Sequence, residues 1–78
     1  MITVSLPLAF IKIDGATVVK WHFVGGDRFS EGDILCDIVT HETMMGVPSG
    51  GPGEIIEICA DVGAMVGAGA ILCRIHLL

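Results

Sequence analysis

The chain has 78 residues and a formal net charge of −5, from four Lys or Arg against nine Asp or Glu. A chain of this length buries roughly 60 to 65% of its unfolded surface, which is enough for one small core and too little for a large enzyme with a deep cleft. The acidic balance argues against binding to the phosphate backbone of a nucleic acid. We therefore expect residues 1–78 to form a single small domain.

The apolar content of the chain is high but does not indicate a membrane protein. Hydrophobic residues make up 53% of the sequence, and the longest uncharged apolar run is Val62 to Cys73. This run is shorter than the roughly 18 residues that a membrane span needs. The N-terminus has no positive residue before its apolar part and no small-residue cleavage site, so a secretory signal is not indicated. We expect a cytoplasmic protein, or a fragment of one.

The predicted strands follow one another between glycine or aspartate breaks, and no window has the apolar periodicity of a helix. Short runs rich in Val, Ile, Leu and aromatic residues are typical of a small all-β sandwich or barrel. In chain order the predicted strands are Ile2 to Leu6, Thr17 to Val24, Ile34 to Thr40, Met44 to Val47, Glu54 to Cys59 and Ile71 to Leu77.

Three cysteines and the single tryptophan are expected in the core. Cys36, Cys59 and Cys73 form no C-x-x-C pair and have no histidine at zinc-finger spacing. This pattern argues against disulfides and structural zinc, and favours three reduced, buried thiols that pack as small hydrophobic groups. Trp21 is interpreted as a core anchor whose indole N–H finds a carbonyl.

An internal repeat predicts a symmetric fold. Moving residues 17–38 along by 37 positions places them over residues 54–75 without a gap, with six identities. Two such halves can bury their apolar faces only against each other, which predicts a quasi-two-fold flattened β-barrel. The identical pairs are Gly26 with Gly63, Gly32 with Gly69, Ile34 with Ile71, Leu35 with Leu72, Cys36 with Cys73 and Ile38 with Ile75.

The segment between the repeats must cross from one half to the other. Strand runs flank His41, Glu42 and Thr43, so we expect a protruding hairpin with this triplet at its tip. Met44 and Met45 are interpreted as core or hairpin packing. The glycine-rich stretch that follows, residues 49–54, has no lysine after it and opens no helix. It is therefore interpreted as a turn rather than a phosphate cradle.

No group of residues assembles a recognisable active site or metal site. His41 and Glu42 lack the second histidine of a zinc-protease motif, because Met45 stands at that position. No serine has a histidine and an acid at a spacing that suggests nucleophilic catalysis. The residues alone predict a non-catalytic binding or carrier module without a metal.

Four segments together carry a resemblance to a known family. They are Pro7 with VVKW at 18–21, GGDRFSEGDIL at 25–35, VPSGGPGEI at 47–55 and VGAMVGAGAILCRI at 62–75. In order and spacing they resemble the lipoyl/biotinyl domains, the swinging-arm carriers of 2-oxo acid dehydrogenase complexes and biotin enzymes. The V-P-S after the hairpin is similar to the lipoyl branch. The resemblance implies a barrel-sandwich hybrid of two quasi-two-fold related four-stranded sheets.

The family's function depends on a lysine at the hairpin tip, which lipoyl domains carry as D-K-A. Counting by the family's spacings, forward from Gly32 and back from Pro48, leads to Glu42, between His41 and Thr43. A carboxylate has no amine to form the amide with lipoate or biotin. The resemblance thus implies lipoate in functional relatives and no cofactor on this chain.

A second difference from the family's sequence pattern lies near the N-terminus. Lipoyl members commonly carry a Gly-Glu loop there, which lies beside the lipoyl-lysine and helps the dehydrogenase subunit to recognise the domain. Phe10, Ile11 and Lys12 stand in this loop here, which weakens the case for ordinary recognition by that partner. Lys20 is the only other lysine and lies inside a predicted strand.

Three functions are compatible with this resemblance. The first is a lipoyl-type domain of a dihydrolipoamide acyltransferase that has lost its carrier lysine and serves a multienzyme complex as a structural or docking module. The second is a carrier whose lysine is altered in this particular sequence. The third is a cofactor-free adaptor or regulatory module in an unrelated assembly. In each case the module itself is expected to be non-catalytic.

Overall fold

The structure is a computed structural model that describes residues 2–5, 15–40, 43–67 and 69–78. Within these ranges every regular element is a strand, and no helix long and apolar enough to cross a membrane is present. The strands are β1 (Ile2–Ser5), β2 (Ala16–Trp21), β3 (Arg28–Phe29), β4 (Ile34–Val39), β5 (Met44–Pro48), β6 (Gly53–Ile58), β7 (Met65–Val66) and β8 (Ile71–Leu77).

The strands form two four-stranded antiparallel sheets. Sheet A has the order β1-β8-β6-β3, and sheet B has the order β5-β4-β2-β7. Each half of the repeat therefore contributes its short middle strand to the sheet built mainly by the other half. This exchange interlocks the halves and confirms the expected barrel-sandwich hybrid.

Six of the eight strands agree with the predicted runs, whereas β3 and β7 have no counterpart among them. Both are two residues long, which is too short for a readable alternation of apolar and polar side chains. Each nevertheless buries one side chain, Phe29 in β3 and Val66 in β7. These two side chains hold the exchanged strands against the core.

The 37-residue repeat is also a repeat of backbone hydrogen bonds. The N–H of Gly26 donates to the carbonyl of Ile55 at 2.8 Å, and the N–H of Gly63 donates to the carbonyl of Val18 at 2.7 Å. Moving Gly26 along by 37 gives Gly63, and moving Val18 along by 37 gives Ile55. The two bonds therefore exchange under the quasi-two-fold, which confirms the symmetry predicted from the sequence.

Two core clusters occupy the space between the sheets. Leu35 belongs to sheet B, but its side chain packs with the cluster under sheet A. Its counterpart Leu72 belongs to sheet A and packs with the cluster under sheet B. Such mutual insertion closes the interior and gives the core its two-fold packing. One cluster contains Ala16, Val18, Cys36, Ile38, Val47, Ala60, Val66 and Leu72, and the other Phe29, Leu35, Ile55, Cys73 and Ile75.

The cysteines divide into two kinds. Cys36 and Cys73 are fully buried at equivalent places, and burial raises the pKa of these thiols to about 12 and about 11, respectively. The prediction that all three are buried is wrong for Cys59, which is exposed. Ile58, the last residue of β6, packs on the core, so alternation turns the next side chain outward. All three thiols are free.

Candidate functional site at the β4–β5 hairpin

Strands β4 and β5 form a hairpin whose last paired residues are Val39 and Met44. Beyond them, the N–H of Thr40 donates to the carbonyl of Thr43 at 2.8 Å, and the N–H of Thr43 donates to Thr40 Oγ1 at 3.2 Å. These bonds close the hairpin and leave two residues of the sequence between the threonines. Those two, His41 and Glu42, lie outside the described residues, as do Phe10, Ile11 and Lys12.

The hairpin is anchored on the core by alternate side chains. Ile38 and Val47 are buried, and Met45 packs against the same cluster, as predicted. Met44 points the other way and is 63% exposed, so its interpretation as a packing residue is wrong. A Cβ added at Gly46 would lie 2.7 Å from Ile34 Cγ2, so this glycine leaves room for Ile34 on the outer face of the sheet.

A charged group lies on the outer face of sheet B, three residues before the closing threonine. His22 Nε2 and Asp37 Oδ2 are 3.0 Å apart, and Lys20 stands opposite Asp37 in the strand register. Three residues of strand span about 10 Å, so the backbone of Lys20 is well removed from the turn. The contact joins Asp37 in β4 to the residue that follows β2, and no local sequence pattern marks it.

The glycine-rich segment after β5 is a turn, as predicted. The hydroxyl of Ser49 donates to the carbonyl of Ser30 at 2.8 Å, and the N–H of Ser49 donates to the carbonyl of Asp33 at 2.8 Å. The N–H of Gly32 donates to the carbonyl of Ser49 at 3.1 Å. The polar groups of Ser49 therefore serve to join the turn to the body of the protein.

The described ranges bring together no set of three His, Cys, Asp or Glu side chains that could hold a metal ion. They also place no nucleophile beside a general base. The Ser49 hydroxyl is engaged with a backbone carbonyl, and His22 is paired with Asp37. The described part of the site is a two-stranded support, β4 and β5, whose ends are joined by hydrogen bonds between Thr40 and Thr43.

The position of the turn follows from the quasi-two-fold. Strand β1 pairs with β8 as β5 pairs with β4: Val4 lies opposite Cys73, and Val47 lies opposite Cys36. The turn that joins β4 to β5 in one half thus corresponds, in the other half, to the adjacent ends of β8 and β1. The hairpin turn and the ends of β1 and β8 consequently stand at opposite, symmetry-related places.

Comparison with known proteins decides the family. The family model described as biotin-requiring enzyme, which covers biotin and lipoyl domains, matches residues 3–75. The chain belongs to the biotin/lipoyl domain family. Among solved structures, the lipoyl domain of the 2-oxoglutarate dehydrogenase complex from Azotobacter vinelandii matches with a TM-score of 0.77 and 28% identity, over 96% of this chain and 95% of that chain.

Two curated relatives place this member of the family near the acyltransferases. The chain is 33% identical over 72 residues to the dihydrolipoyllysine-residue succinyltransferase component of the 2-oxoglutarate dehydrogenase complex from Buchnera aphidicola. It is 37% identical over 73 residues to the mitochondrial dihydrolipoyllysine-residue acetyltransferase component of the pyruvate dehydrogenase complex from Caenorhabditis elegans. Each match covers 92% of this chain but only 18% and 14% of the respective relative.

Proposed function

We propose that this chain is a lipoyl-type module of an acyltransferase component of a 2-oxo acid dehydrogenase complex, with Glu42 at the position of the carrier lysine. In this proposal it bears neither lipoate nor biotin and serves as a non-catalytic docking or structural module. The observation that carries the proposal is the closure of the hairpin by Thr40 and Thr43. The two residues between them in the sequence are His41 and Glu42, and neither has an amine.

The chemistry of attachment supports this proposal. An amide forms when an uncharged amine attacks an activated carboxyl group, so the acceptor must present a nitrogen lone pair at an accessible turn. The two relatives are named for a dihydrolipoyllysine residue, which is such an acceptor. Glu42 offers only oxygen atoms, and Lys20 lies in strand β2 rather than at the turn.

A docking role is supported by what the scaffold retains. The hairpin keeps its register from Ile38 opposite Met45 to Val39 opposite Met44, and its turn is closed by hydrogen bonds. A partner that recognises the shape of a lipoyl domain therefore meets a well-defined surface even without the cofactor. Binding to a preorganised surface avoids the entropy of ordering a loop.

The test of non-attachment is the intact mass of the chain after co-expression with a lipoate ligase and, separately, a biotin ligase. We expect the unmodified mass in both cases. An authentic lipoyl domain expressed in parallel is the positive control and should gain the lipoyl group. A lipoyl or biotinyl mass increase on this chain would contradict the proposal, and peptide mapping would then identify which lysine had been used.

A further inference from the structure

Strand β1 forms one edge of sheet A. It pairs with β8 on one side, and no strand among the described residues pairs with it on the other. An open edge presents unpaired backbone N–H and C=O groups to any strand that approaches it, and proteins usually guard such an edge with a charged side chain or a proline. Strand β1, Ile2–Ser5, contains neither, so its edge is unguarded.

The corresponding edge of sheet B, strand β5, is guarded. In the strand registers Pro48 of β5 corresponds to Ser5 of β1, and Gly46 corresponds to Thr3. Pro48 has no N–H to offer to a further strand. Gly46 has no side chain for packing across strands. The open edge at β1 is therefore a property of the sequence in one half of the molecule rather than a requirement of the fold.

The backbone groups of Thr3 face the open side of β1. In β5 the carbonyl of Thr43 accepts a hydrogen bond from the N–H of Thr40, and the N–H of Ser49 donates to the segment before β4. Both residues thus direct their backbone groups toward the neighbouring strand. Alternate residues of an antiparallel strand face opposite sides, which turns the backbone groups of Gly46 away from β4. Thr3 is the equivalent of Gly46, so its N–H and C=O point away from β8.

The side chains of β1 suit pairing with a second copy of the same strand. Val4 packs against the core cluster under sheet A, so Ile2 shares this inner face, while the exposed Thr3 lies on the outer face. When two β1 strands run antiparallel about an axis through Thr3, Ile2 of each copy lies opposite Val4 of the other. The two threonines then lie opposite each other on the outer face. Pairs of β-branched side chains and pairs of threonines both stabilise antiparallel strands.

An apolar groove lies beside the open edge. Its volume is about 420 Å³, and no charged side chain among the described residues lines it. The strands contribute Ile2, Val4, Ile75 and Leu77 to its lining, and the turn after β5 contributes residues 50–52. Ile2 and Leu77 are each 46% exposed. A second copy that pairs with β1 therefore removes apolar surface from water, which favours association.

Charge permits a second copy at this edge although the whole chain carries −5. The charged residue next to Thr3 in the register is Arg74, which is paired with Glu57 at 2.7 Å between Nη1 and Oε1. In a dimer the two β8 strands lie three strand spacings apart, about 14 Å. This distance exceeds the Debye length of about 8 Å at physiological salt. Salt also screens the remaining repulsion between two acidic chains, so the dimer should strengthen as salt rises.

We propose that two copies of this chain associate by antiparallel pairing of their β1 strands, which joins the two A sheets into one continuous sheet. The N–H and C=O of Thr3 exchange two hydrogen bonds with those of Thr3 in the second copy. A four-residue strand and one groove form an interface below the roughly 1,200 Å² of a stable complex, so the dimer is weak, with a Kd of about 10 μM or higher. This self-association goes beyond the proposed function and does not depend on residue 42.

Sedimentation equilibrium of the 78-residue chain, from about 10 μM to about 1 mM, measures the association. Thr3→Lys places two ammonium groups opposite each other at the axis and should raise the dimer Kd by about tenfold or more. Thr3→Pro removes the outward N–H without breaking a bond to β8 and should have an effect of about the same size. Met44→Lys, on the edge strand of sheet B, adds the same charge at a side chain that is 63% exposed. It is the matched control and should leave the Kd within about twofold.

Amide hydrogen exchange locates the contact independently of the variants. The N–H of Thr3 should exchange faster when the protein is diluted to the monomer, whereas that of Gly46 should not respond to dilution. A chain that stays monomeric at the highest concentration would overturn the proposal. So would a dimer that Met44→Lys weakens and the Thr3 variants do not. Thermal melts check the fold of every variant, and Thr3→Lys carries the test if Thr3→Pro is unfolded.

Discussion

The indole N–H of Trp21 donates a 2.7 Å hydrogen bond to the carbonyl of Ala60, which joins the two halves of the molecule across 39 positions of sequence. The ring itself packs against both core clusters. Trp21 therefore combines apolar burial with a hydrogen bond to an otherwise buried carbonyl. Its counterpart under the quasi-two-fold is Ile58, whose side chain has no donor, so the described residues do not repeat this link in the other half.

Replacing Trp21 with Phe should destabilise the fold by about 2 kcal/mol or more, because it removes the donor to Ala60 and part of the packing volume. Urea unfolding followed by circular dichroism measures the loss. Val24→Ala, at a side chain that is 60% exposed, is the control and should change the stability by less than about 0.5 kcal/mol. Equal stability of the Trp21 and Val24 variants would show that the bond contributes nothing.

The glycines of the repeat provide a second prediction. Gly26 and Gly63 have φ angles of 91° and 93°, and a Cβ at either position would meet no atom within 4 Å. Substitution by Ala therefore tests backbone strain alone. Each substitution should lower the free energy of unfolding by about 1 to 2 kcal/mol. The two losses should agree within about 0.5 kcal/mol because the quasi-two-fold gives both residues the same environment.

Gly50→Ala is the matched control for the glycine prediction. It has equal space for a Cβ and no positive φ, so Ala should be neutral or stabilising by up to about 1 kcal/mol. Thermal or urea unfolding measures all three variants. A loss at Gly50 as large as that at Gly63 would contradict the strain account.

Much of the fold was predictable because residues 17–38 repeat at 54–75 with one constant offset and no gap. The exchange of β3 and β7 between sheets was not, since two-residue strands such as Arg28–Phe29 have no periodicity to read. Cys59 was misassigned for a related reason: the predicted strand continued one residue beyond its end at Ile58. The boundaries of short strands depend on tertiary pairing rather than on local composition.

The candidate site was predictable only in part. The spacings of the lipoyl family direct attention to Glu42, and the described hairpin has the expected strands on either side. Contacts between strands could not be read from the sequence, because they depend on register. Thr17 and Met65, for example, are neighbours only in the folded sheet, and a bulge between Val18 and Lys20 shifts the register of β2 against β4.

The buried thiols predict how stability depends on pH. Burial raises the pKa of Cys36 from 9.0 to about 12 and that of Cys73 to about 11. Above pH 9 the unfolded chain loses these protons while the folded chain keeps them, so alkaline conditions favour unfolding. The buried, protonated thiols make their full contribution to folding stability below pH 9, and this contribution is lost as the pH rises toward 12.

Melting temperatures between pH 8 and pH 11 measure this dependence, and the double variant Cys36→Ala, Cys73→Ala should show a flatter decline. Labelling with iodoacetamide at pH 8 gives an independent measure. Cys59 should react in the folded protein, whereas Cys36 and Cys73 should react only after unfolding. Rapid labelling of all three in the native state would contradict their assigned burial.

The assignment of Glu42 to the carrier position is tested most directly by restoring an amine there. The chain with Glu42→Lys is co-expressed with a lipoate ligase, and its intact mass is compared with that of Thr43→Lys, which moves the amine by one residue. We expect partial lipoylation of the first variant and none of the second, with a further gain when His41→Asp and Thr43→Ala accompany Glu42→Lys. Substitutions outside the core usually change stability by no more than about 0.5 kcal/mol, so we expect all variants to remain folded. If folded Glu42→Lys and the triple variant both stay unmodified, residue 42 is not the carrier position and the likeness to lipoyl domains is confined to the scaffold.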